Sequence, residues 1–362
     1  MADVRSAHPF HVYEAINAQP DLIEKVFAQK REIEPIADAV AAKARITFVG
    51  IGTSLHAARI CESWMREFTG GRFRAYVEQS FELFHHPVLF GRDDAVIVVT
   101  HTGTSSASVQ ALGRARAAGA LTVAITGEAC GEGARSADFR IETCEQEKAF
   151  AYTKSYTTAL AALAILIARV ASRKNLLADT GIEGALERLP QQMRDALRLE
   201  PEVKALARNI SPLARLEIFG SGVAWATASE AALKIKEACY IAAEGFETEE
   251  ILHGPFSETD SRAALIGLLT AGASDDRARQ IFRAAGELKV FRSAIATAKA
   301  NHDIAAEQLL VVPDCEPWLA AFVHLVPLQL LTYFLALERG TSPDSGRMEQ
   351  AGHCLASRHY KY

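Results

Sequence analysis

Three charged side chains recur at helical spacing in the segment Ala224–Ile241, which reads AWATASEAALKIKEACYI. Glu230, Lys234 and Glu237 follow the pattern i, i+4, i+7, so at about 100° per residue they share roughly 60° of one helix face. A carboxylate that moves protons between adjacent carbons needs a nearby cation to stabilise developing oxyanion charge. Glu237 beside Lys234 meets that need. The alternative is a solvated helix face stabilised by an ordinary Glu–Lys pair.

A histidine follows this segment in EEILHGP, directly before Gly254 and Pro255. Imidazole titrates near neutral pH, so His253 is a candidate for opening a sugar ring by proton transfer. The alternative is a structural histidine in a loop. The glutamates that precede it are interpreted, for the most part, as a solvated acidic loop: Glu244, Glu247, Glu249 and Glu250.

A second group of candidates is rich in hydroxyl side chains. The loop THTGTSS follows an apolar strand and precedes a helix, where free backbone N–H groups and the positive helix end favour a phosphate. Its hydroxyls surround a glycine that lets the backbone approach a ligand, so neither a metal nor a lysine is required. The alternative is that Ser and Thr only cap the helix. The candidate binding residues are Thr100, His101, Thr102, Gly103 and Ser105, with Gly52, Thr53 and Ser54 at the neighbouring strand end.

Two stretches show how the chain positions these residues. Residues 45–52 read RITFVGIG and residues 215–222 read RLEIFGSG, an offset of 170 residues. In each, a short strand-like run ends in Gly-x-Gly and a helix-compatible segment follows, so each half is a candidate α/β domain. A dinucleotide-binding loop needs a third glycine where Leu55 and Trp225 stand, and no Gly-Lys-Ser/Thr follows. NAD and nucleoside triphosphates are therefore disfavoured ligands.

Continuous apolar runs between helical segments predict parallel strands covered on both faces. The predicted strands beyond the two Gly-x-Gly runs are 95–100, 121–126, 138–143, 264–270, 289–293 and 309–312. Apolar helices over 154–172 and 318–337 close the two halves, and we expect them to be buried core helices rather than membrane spans. The N-terminal forty residues are predicted to be helical and broken at Pro20 and Pro35.

These elements predict two α/β domains with helical additions. The predicted boundaries are an N-terminal helical segment 1–34, a first domain 35–175, a helical linker 176–204, a second domain 205–340 and a C-terminal tail 341–362 that closes on the site.

Composition excludes several functional classes. The chain has 362 residues, 39 Lys+Arg and 44 Asp+Glu, a formal net charge of −5 without the basic surplus of a nucleic-acid binder. Its six cysteines are scattered, with neither a disulfide framework nor zinc-ligand spacing, as in a cytoplasmic protein. The N-terminus MADVRSAHPF has no signal-peptide character. No metal, cofactor, nucleic acid or membrane is expected as a partner.

Together these segments resemble the tandem sugar isomerase (SIS) domain family, in particular the isomerase half of glucosamine-6-phosphate synthases. The matching motifs are VGIGTSLHAA (49–58), VVTHTGTSSASVQAL (98–112), YTKSYTTAL (152–160) and SEAALKIKEACYIAAEGFETEEILHGP (229–255). The resemblance implies two doubly wound three-layer α/β/α domains with flavodoxin-like parallel sheets.

The resemblance also implies roles for individual residues. It places the phosphate on Ser54, Thr100, His101, Thr102 and Ser105, and it brings Lys154 into the candidate binding set. It assigns proton transfer to Glu237, supported by Glu230 and Lys234, and ring opening to His253 from the neighbouring subunit of a homodimer.

The chain departs from the family at three points. The family loop Ser-Gln-Ser-Gly-Glu-Thr is Thr-His-Thr-Gly-Thr-Ser here, which keeps the hydroxyls but replaces Gln and Glu. The synthase's N-terminal cysteine nucleophile has no counterpart before Cys61, so we expect no ammonia from glutamine. The Leu-Ala-Lys tail with its Schiff-base lysine is also missing, which leaves Arg347, Arg358 or Lys361 to close over a phosphosugar.

The predicted function is metal-independent aldose–ketose isomerisation of a hexose 6-phosphate or its 2-amino form, through an enediol or enamine. Glucosamine-6-phosphate deamination and fructosamine-6-phosphate deglycation use similar chemistry and remain alternatives. A non-catalytic phosphosugar sensor is the alternative from another class. Such sensors usually carry a helix-turn-helix segment, which the N-terminal forty residues do not resemble.

Overall fold

The computed structural model describes residues 5–178, 181–300 and 302–360. Its strands are β1 (Arg45–Gly50), β2 (Tyr76–Gln79), β3 (Asp94–Val99), β4 (Leu121–Thr126), β5 (Phe139–Glu142), β6 (Arg215–Gly220), β7 (Ala242–Glu247), β8 (Ala263–Leu269), β9 (Phe291–Thr297) and β10 (Gln308–Val312). Its helices are α1 (His11–Ala28), α2 (Lys30–Ala41), α3 (Thr53–Phe68), α4 (Ser80–His85), α5 (Ser106–Ala117), α6 (Glu132–Arg135), α7 (Lys154–Arg173), α8 (Ile182–Leu197), α9 (Glu200–Ile210), α10 (Val223–Cys239), α11 (Asp275–Glu287), α12 (Ala320–Val323), α13 (Leu325–Glu338) and α14 (Ala351–Ala356). Short 3₁₀ turns cover Glu250–Leu252, Pro255–Ser257, Pro317–Leu319 and Ser357–His359.

The strands form two five-stranded parallel sheets. The first has the order β2-β1-β3-β4-β5 and the second, read in the same direction, β7-β6-β8-β9-β10. Both are the 2-1-3-4-5 order of a flavodoxin-like doubly wound sheet, in which ligands bind outside the carboxyl ends of the strands. The predicted fold class is therefore confirmed, and the repeated Gly-x-Gly runs are the first strand of each sheet.

The described chain divides into two compact units. The first unit contains Asp21–Glu147 and Lys154–Gly184; the second contains the residues up to Pro20, Lys148–Thr153 and Ala185–His359. Each unit holds one sheet. The boundaries 35–175 and 205–340 remain our domain assignment.

Each sheet is covered by helices that bury apolar faces. In the first unit α7 packs against α2 and α3, and in the second α13 packs against α9 and α10. Phe219 of β6 and Phe282 of α11 lie with ring centroids 5.5 Å apart in the core of the second unit. A Cβ on Gly267 would lie 2.5 Å from one ring and 2.7 Å from the other, so only glycine fits between them.

The predicted break of the N-terminal helices at two prolines is wrong. Helix α1 continues through Pro20 and α2 continues through Pro35, and the chain turns instead at Gln29. A proline inside a helix removes one hydrogen bond and introduces a clash, at a cost of about 3 kcal/mol. The buried apolar faces of both helices, such as Ile16 in α1 and Ile36 in α2, provide the opposing packing energy.

Interpreting the glutamates before His253 as a loop is wrong for two of them, because Glu244 and Glu247 lie in β7, an edge strand of the second sheet. Exposed Glu244 alternates with buried Ala243, whereas Glu247 is half-buried and accepts a hydrogen bond from the Ser221 hydroxyl; the backbone of the strand pairs with β6. The strand predicted at 289–293 also begins later, at Phe291, because Lys289 has a positive φ of 56° between α11 and β9.

Two helical stretches are long and apolar enough to cross a membrane by composition: Lys154–Arg173 and Pro317–Glu338. Within the protein, 83% and 100% of their apolar windows are buried. Such burial is that of core helices, which agrees with their predicted role.

Candidate functional site

The two Gly-x-Gly turns have the same conformation. Gly52 has φ 56° and ψ −128°, and Gly222 has φ 59° and ψ −127°, a region that favours glycine. The strand-ending glycines fit a close approach to the following helix. A Cβ on Gly50 would lie 2.4 Å from the backbone of Ser54, and one on Gly220 would lie 2.8 Å from Cβ of Ala224. Each turn thus brings the N-terminus of a helix to the carboxyl edge of its sheet.

The hydroxyl loop of the first unit, Thr100–Ser105, follows β3 at the same edge. Because β1 and β3 are paired in parallel, this loop and the turn with Thr53 and Ser54 follow adjacent strand ends. Thr104 Oγ1 donates to Thr102 Oγ1 over 2.9 Å. Ser105 occupies the N-cap position of α5 without a side-chain capping hydrogen bond, so the capping alternative does not explain its hydroxyl. Gly103 has φ +65° and is buried.

His101, predicted to contact substrate, packs against neighbouring segments of the first unit and supports this loop. Its Nε2 accepts the backbone N–H of Glu147 over 3.3 Å, and its ring packs so closely on Gly127 that a Cβ there would lie 2.3 Å from Cε1. Burial, with a smaller contribution from the Lys154 ammonium, lowers the pKa of His101 to about 4. The neutral ring therefore stabilises the loop's shape.

Lys154 begins α7 in the first unit, with 8% of its side chain exposed. Its Nζ donates to Glu145 Oε1 over 2.7 Å, and Glu147 Oε1 accepts the backbone N–H of the next residue, Ser155. The charge of Lys154 acts on His101, as that residue's lowered pKa shows. Lys154 is thus an ion-paired cation beside the segment that contains Glu145 and Glu147, which the His101 ring contacts.

The charged stripe of the second unit is buried. Lys234 has 3% of its side chain exposed, with Nζ 2.5 Å from Glu237 Oε2 and 3.7 Å from Glu230 Oε1. Glu230 is 1% exposed and Glu237 20%. The alternative of a solvated helix face is therefore wrong: the helix carries these charges into the protein and leaves part of Glu237 open.

This arrangement suits proton transfer by a single carboxylate. Isolated charges are costly to bury, and one ammonium between two carboxylates supplies the compensation. Lys234 orients the Glu237 carboxylate by a short charge-assisted hydrogen bond, and Glu230 anchors Lys234 from the other side. Glu237, the most exposed of the three, is the candidate general acid–base.

His253 ends the 3₁₀ turn Glu250–Leu252 in the second unit, with 66% of its side chain exposed. Its Nε2 lies 3.3 Å from Glu249 Oε1. Glu249 in turn receives both Nε and Nη2 of Arg277 from α11. The structure therefore places His253 in a different environment from Glu237, although both belong to the second unit.

The described part of the C-terminal tail is fastened at Tyr240, a residue that the sequence did not single out. Tyr240 follows α10 in the left-handed conformation, three residues after Glu237. Its hydroxyl accepts the backbone N–H of Arg347 over 2.7 Å, and the Arg347 guanidinium lies 4.5 Å from its ring centroid. Arg358 is exposed in the last 3₁₀ turn. Lys361, the third tail candidate, lies outside the described residues.

Within residues 5–178, 181–300 and 302–360, no three His, Cys, Asp or Glu side chains are grouped to hold a metal ion.

Comparison with known proteins connects these sites to a family. The SIS domain family matches residues 40–169, which contain the first sheet and the hydroxyl loop. The glutamine–fructose-6-phosphate aminotransferase [isomerizing] of Pyrococcus horikoshii is 26% identical over 349 residues. That alignment covers 96% of this chain and 58% of the relative, so the chain spans little more than half of the relative's length.

Solved structures show the same fold. The C-terminal domain of glucosamine-fructose-6-phosphate aminotransferase from Francisella tularensis matches with a TM-score of 0.85 at 21% identity, over 94% of this chain and 99% of that one. Glucosamine-6-phosphate deaminase from Thermotoga maritima matches with a TM-score of 0.73 at 18% identity, over 92% and 97%. Residues 40–169 thus form a SIS domain, and the chain is homologous over most of its length to the isomerase portion of glutamine–fructose-6-phosphate aminotransferases.

Proposed function

We propose that the protein is a phosphosugar isomerase that interconverts the aldose and ketose forms of a hexose 6-phosphate or a 2-amino-hexose 6-phosphate. The observation that carries this proposal is the buried Glu230–Lys234–Glu237 set, with Lys234 Nζ 2.5 Å from the partly exposed Glu237 carboxylate. Burying three charges on one helix usually costs stability, and a role in proton transfer accounts for that cost.

The geometry of each unit supports the proposed roles. In the first, the hydroxyls of Ser54, Thr102 and Ser105 and the N-termini of α3 and α5 bind the phosphate. In the second, His253 moves the protons that open the sugar ring. Glu237 then takes a proton from one of C1 and C2 and returns it to the other, through an enediol or, for an amino sugar, an enamine. Lys234 orients the carboxylate that does so.

We also propose that the enzyme works without a metal, in the cytoplasm, and as a homodimer in which His253 serves the neighbouring subunit. The exposure of His253 is compatible with such a role. Mixing two inactive variants, Glu237→Gln and His253→Asn, tests it: hybrid dimers with one intact composite site should regain up to about a quarter to a half of the activity. No regain would place each histidine with its own subunit's glutamate.

Proton NMR in D₂O tests the reaction. Purified protein is given fructose 6-phosphate or glucosamine 6-phosphate in separate tubes. Solvent exchange at C1 or C2 with glucose 6-phosphate formation indicates the isomerase. Loss of glucosamine 6-phosphate with ammonia release indicates the deaminase alternative, which the same residues could support. Glu237→Gln should abolish exchange, whereas Glu244→Gln, an exposed glutamate on β7, serves as the matched control.

Binding of both sugars without exchange or product would favour the non-catalytic sensor. Full activity of Glu237→Gln would contradict the assignment of the proton-transfer residue, even if the protein proved to be an isomerase.

A further inference from the structure

His253 is the end of a series of three contacting residues, Arg277, Glu249 and His253, on the surface of the second unit. Glu249 precedes it by four residues across the 3₁₀ turn, and Arg277 projects from α11. Arg277 Nε lies 2.6 Å from Glu249 Oε2, and its Nη2 lies 2.7 Å from Oε1. The same Oε1 lies 3.3 Å from His253 Nε2.

The two hydrogen bonds from the Arg277 guanidinium restrain the Glu249 carboxylate more than a single hydrogen bond would. Both oxygens of Glu249 are held by one planar guanidinium, so the carboxylate cannot rotate without losing a charge-assisted hydrogen bond. The hydrogen bond from Arg277 holds the pKa of Glu249 down at about 2. The carboxylate therefore faces the imidazole as a fixed acceptor throughout the neutral range.

A fixed acceptor decides which ring nitrogen carries the proton. When Nε2–H donates to Glu249 Oε1, the lone pair of neutral His253 is on Nδ1. The His253 side chain is otherwise largely exposed, at 66%. Glu249 is thus the contact that determines where Nδ1 points.

We propose that Glu249 and Arg277 are positioning residues for His253, holding it as the Nε2–H tautomer with Nδ1 directed outwards as the base. The consequence for catalysis rests on the proposed function. In ring opening, Nδ1 takes the proton of the anomeric hydroxyl, the carbonyl forms as the ring C–O bond breaks, and the ring oxygen takes that proton back. Arg277 and Glu249 touch no reacting atom in this step.

A surface ion pair alone is weak and often contributes nothing measurable to stability. The proposal is therefore tested by the state of the imidazole and not by unfolding. Protein labelled with ¹³C and ¹⁵N in histidine is assigned at His253 by comparison with His253→Asn. Ring order and the ¹⁵N shifts of both ring nitrogens are then measured above pH 8, where free imidazole is neutral.

We expect an ordered ring with a pyridine-like Nδ1 in the native protein, and a mobile ring with mixed tautomers in Glu249→Ala and Arg277→Gln. Arg277→Lys keeps the charge without the fork and should be intermediate. Arg283→Gln, which removes an exposed arginine from the same helix, is the control. Unchanged ring order and nitrogen shifts in Glu249→Ala would overturn the proposal, whatever the enzyme catalyses.

Kinetics with two substrates test the link to ring opening. Fructose 6-phosphate closes a ring, whereas 5-deoxyfructose 6-phosphate lacks the hydroxyl that would close it. In Glu249→Ala we expect kcat for the first to fall on the order of ten-fold, with KM little changed and the second substrate unaffected. Equal losses on both substrates would refute a role in ring opening. Inactivity of the native protein on both would instead refute the proposed function, and the NMR result would still decide the positioning role.

Discussion

Helices α3 and α10 follow the same turn in the two units but bury different chemistry. At the offset of 170 residues, Ile60 corresponds to Glu230 and Trp64 to Lys234. All four side chains are buried, at 0%, 1%, 0% and 3% exposure. The positions are core positions in both helices, so the fold supplies the burial and the sequence decides whether it is used for packing or for charge.

The Gly-x-Gly turns before these helices show the reverse difference, with polar residues in the first unit and apolar residues in the second. Thr53 and Ser54 begin α3, whereas the apolar Val223 and Ala224 begin α10. In the second turn the Ser221 hydroxyl is bonded to Glu247 Oε1 and Thr248 Oγ1, so a carboxylate of the protein itself is already present. A repeated frame is thus specialised by exchange at equivalent positions: one copy has hydroxyl side chains at the start of its helix, and the other has buried charges along its helix.

The largest effect is expected from removing Glu237, the proposed acid–base group of the charged helix. Glu237→Gln should lower turnover by on the order of 10³-fold, because the amide cannot exchange protons with carbon. Sugar-phosphate affinity, measured by calorimetry, should stay within a few-fold because the hydroxyl loop is intact. Equal loss of affinity and turnover would show that the charged helix also binds.

Replacing the buried charges of α10 by apolar side chains, as found at the equivalent positions of α3, tests the comparison of the two helices directly. Lys234→Met removes the ammonium that both carboxylates contact and should destabilise the protein by about 3–5 kcal/mol in urea unfolding. The double variant Glu230→Ile with Lys234→Met should recover much of that loss, because an apolar side chain suits a core position, while activity stays low. Stability of the double variant below that of the single variant would show that Glu230 stabilises the helix independently.

Acid should weaken the second unit through a histidine. His324 is fully buried, with Nε2 2.9 Å from Leu269 O, and burial lowers its pKa to about 4. Since an unfolded histidine has a pKa of about 6.5, the unfolded state takes up the proton first. Stability present above pH 6.5 should therefore fall, on the order of 3 kcal/mol from this residue, as the pH drops towards about 4.

His324→Gln should reduce this pH dependence of urea unfolding, and His359→Gln, at an exposed position, should leave it unchanged. In the first unit, burial likewise lowers the pKa of His101, so His101→Gln should remove a separate contribution. An unchanged acid slope in the His324 variant would contradict the prediction.

The smallest effect concerns the turns themselves. Ser54→Ala should weaken phosphosugar binding by about 1.5–3 kcal/mol, the range for a hydrogen bond to a charged group. Ser221→Ala, in the equivalent region of the other turn, should leave the dissociation constant unchanged. Calorimetry with the same sugar phosphate measures both. Equal weakening would mean that the second turn also contributes to binding.

The sequence predicted the central strands and the charged helix because their signals are local. Apolar runs such as AVIVVT and LTVAIT mark strands covered on both faces, and i, i+4, i+7 spacing marks one helix face. The edge strands β2 and β7 escaped prediction, because Tyr76 and Glu244 face outwards and leave no apolar run. The sequence also could not predict that the Glu230, Lys234 and Glu237 stripe is buried, since Glu–Lys spacing is the same on an exposed helix face.

Residues that act through the backbone were missed for a related reason. Tyr240 takes the left-handed conformation and binds Arg347, 107 positions later, and no spacing rule connects such residues. His101 looked like a ligand residue because it stands in a hydroxyl loop, yet its ring faces the segment that contains Glu147. Proximity in sequence predicts the loop but not the direction of a side chain.

One contact links the beginning of the chain to its end. Asp344 accepts the backbone N–H groups of His11 and Val12, the first residues of α1, from 333 and 332 positions away. At a synthesis rate of about 5–20 residues per second, the ribosome adds Asp344 roughly 20–70 s after it has made this helix. The backbone N–H groups at the start of α1 therefore cannot bind this acceptor until the chain between them has been translated. The second unit includes both residues and is therefore completed only after Asp344 has been made.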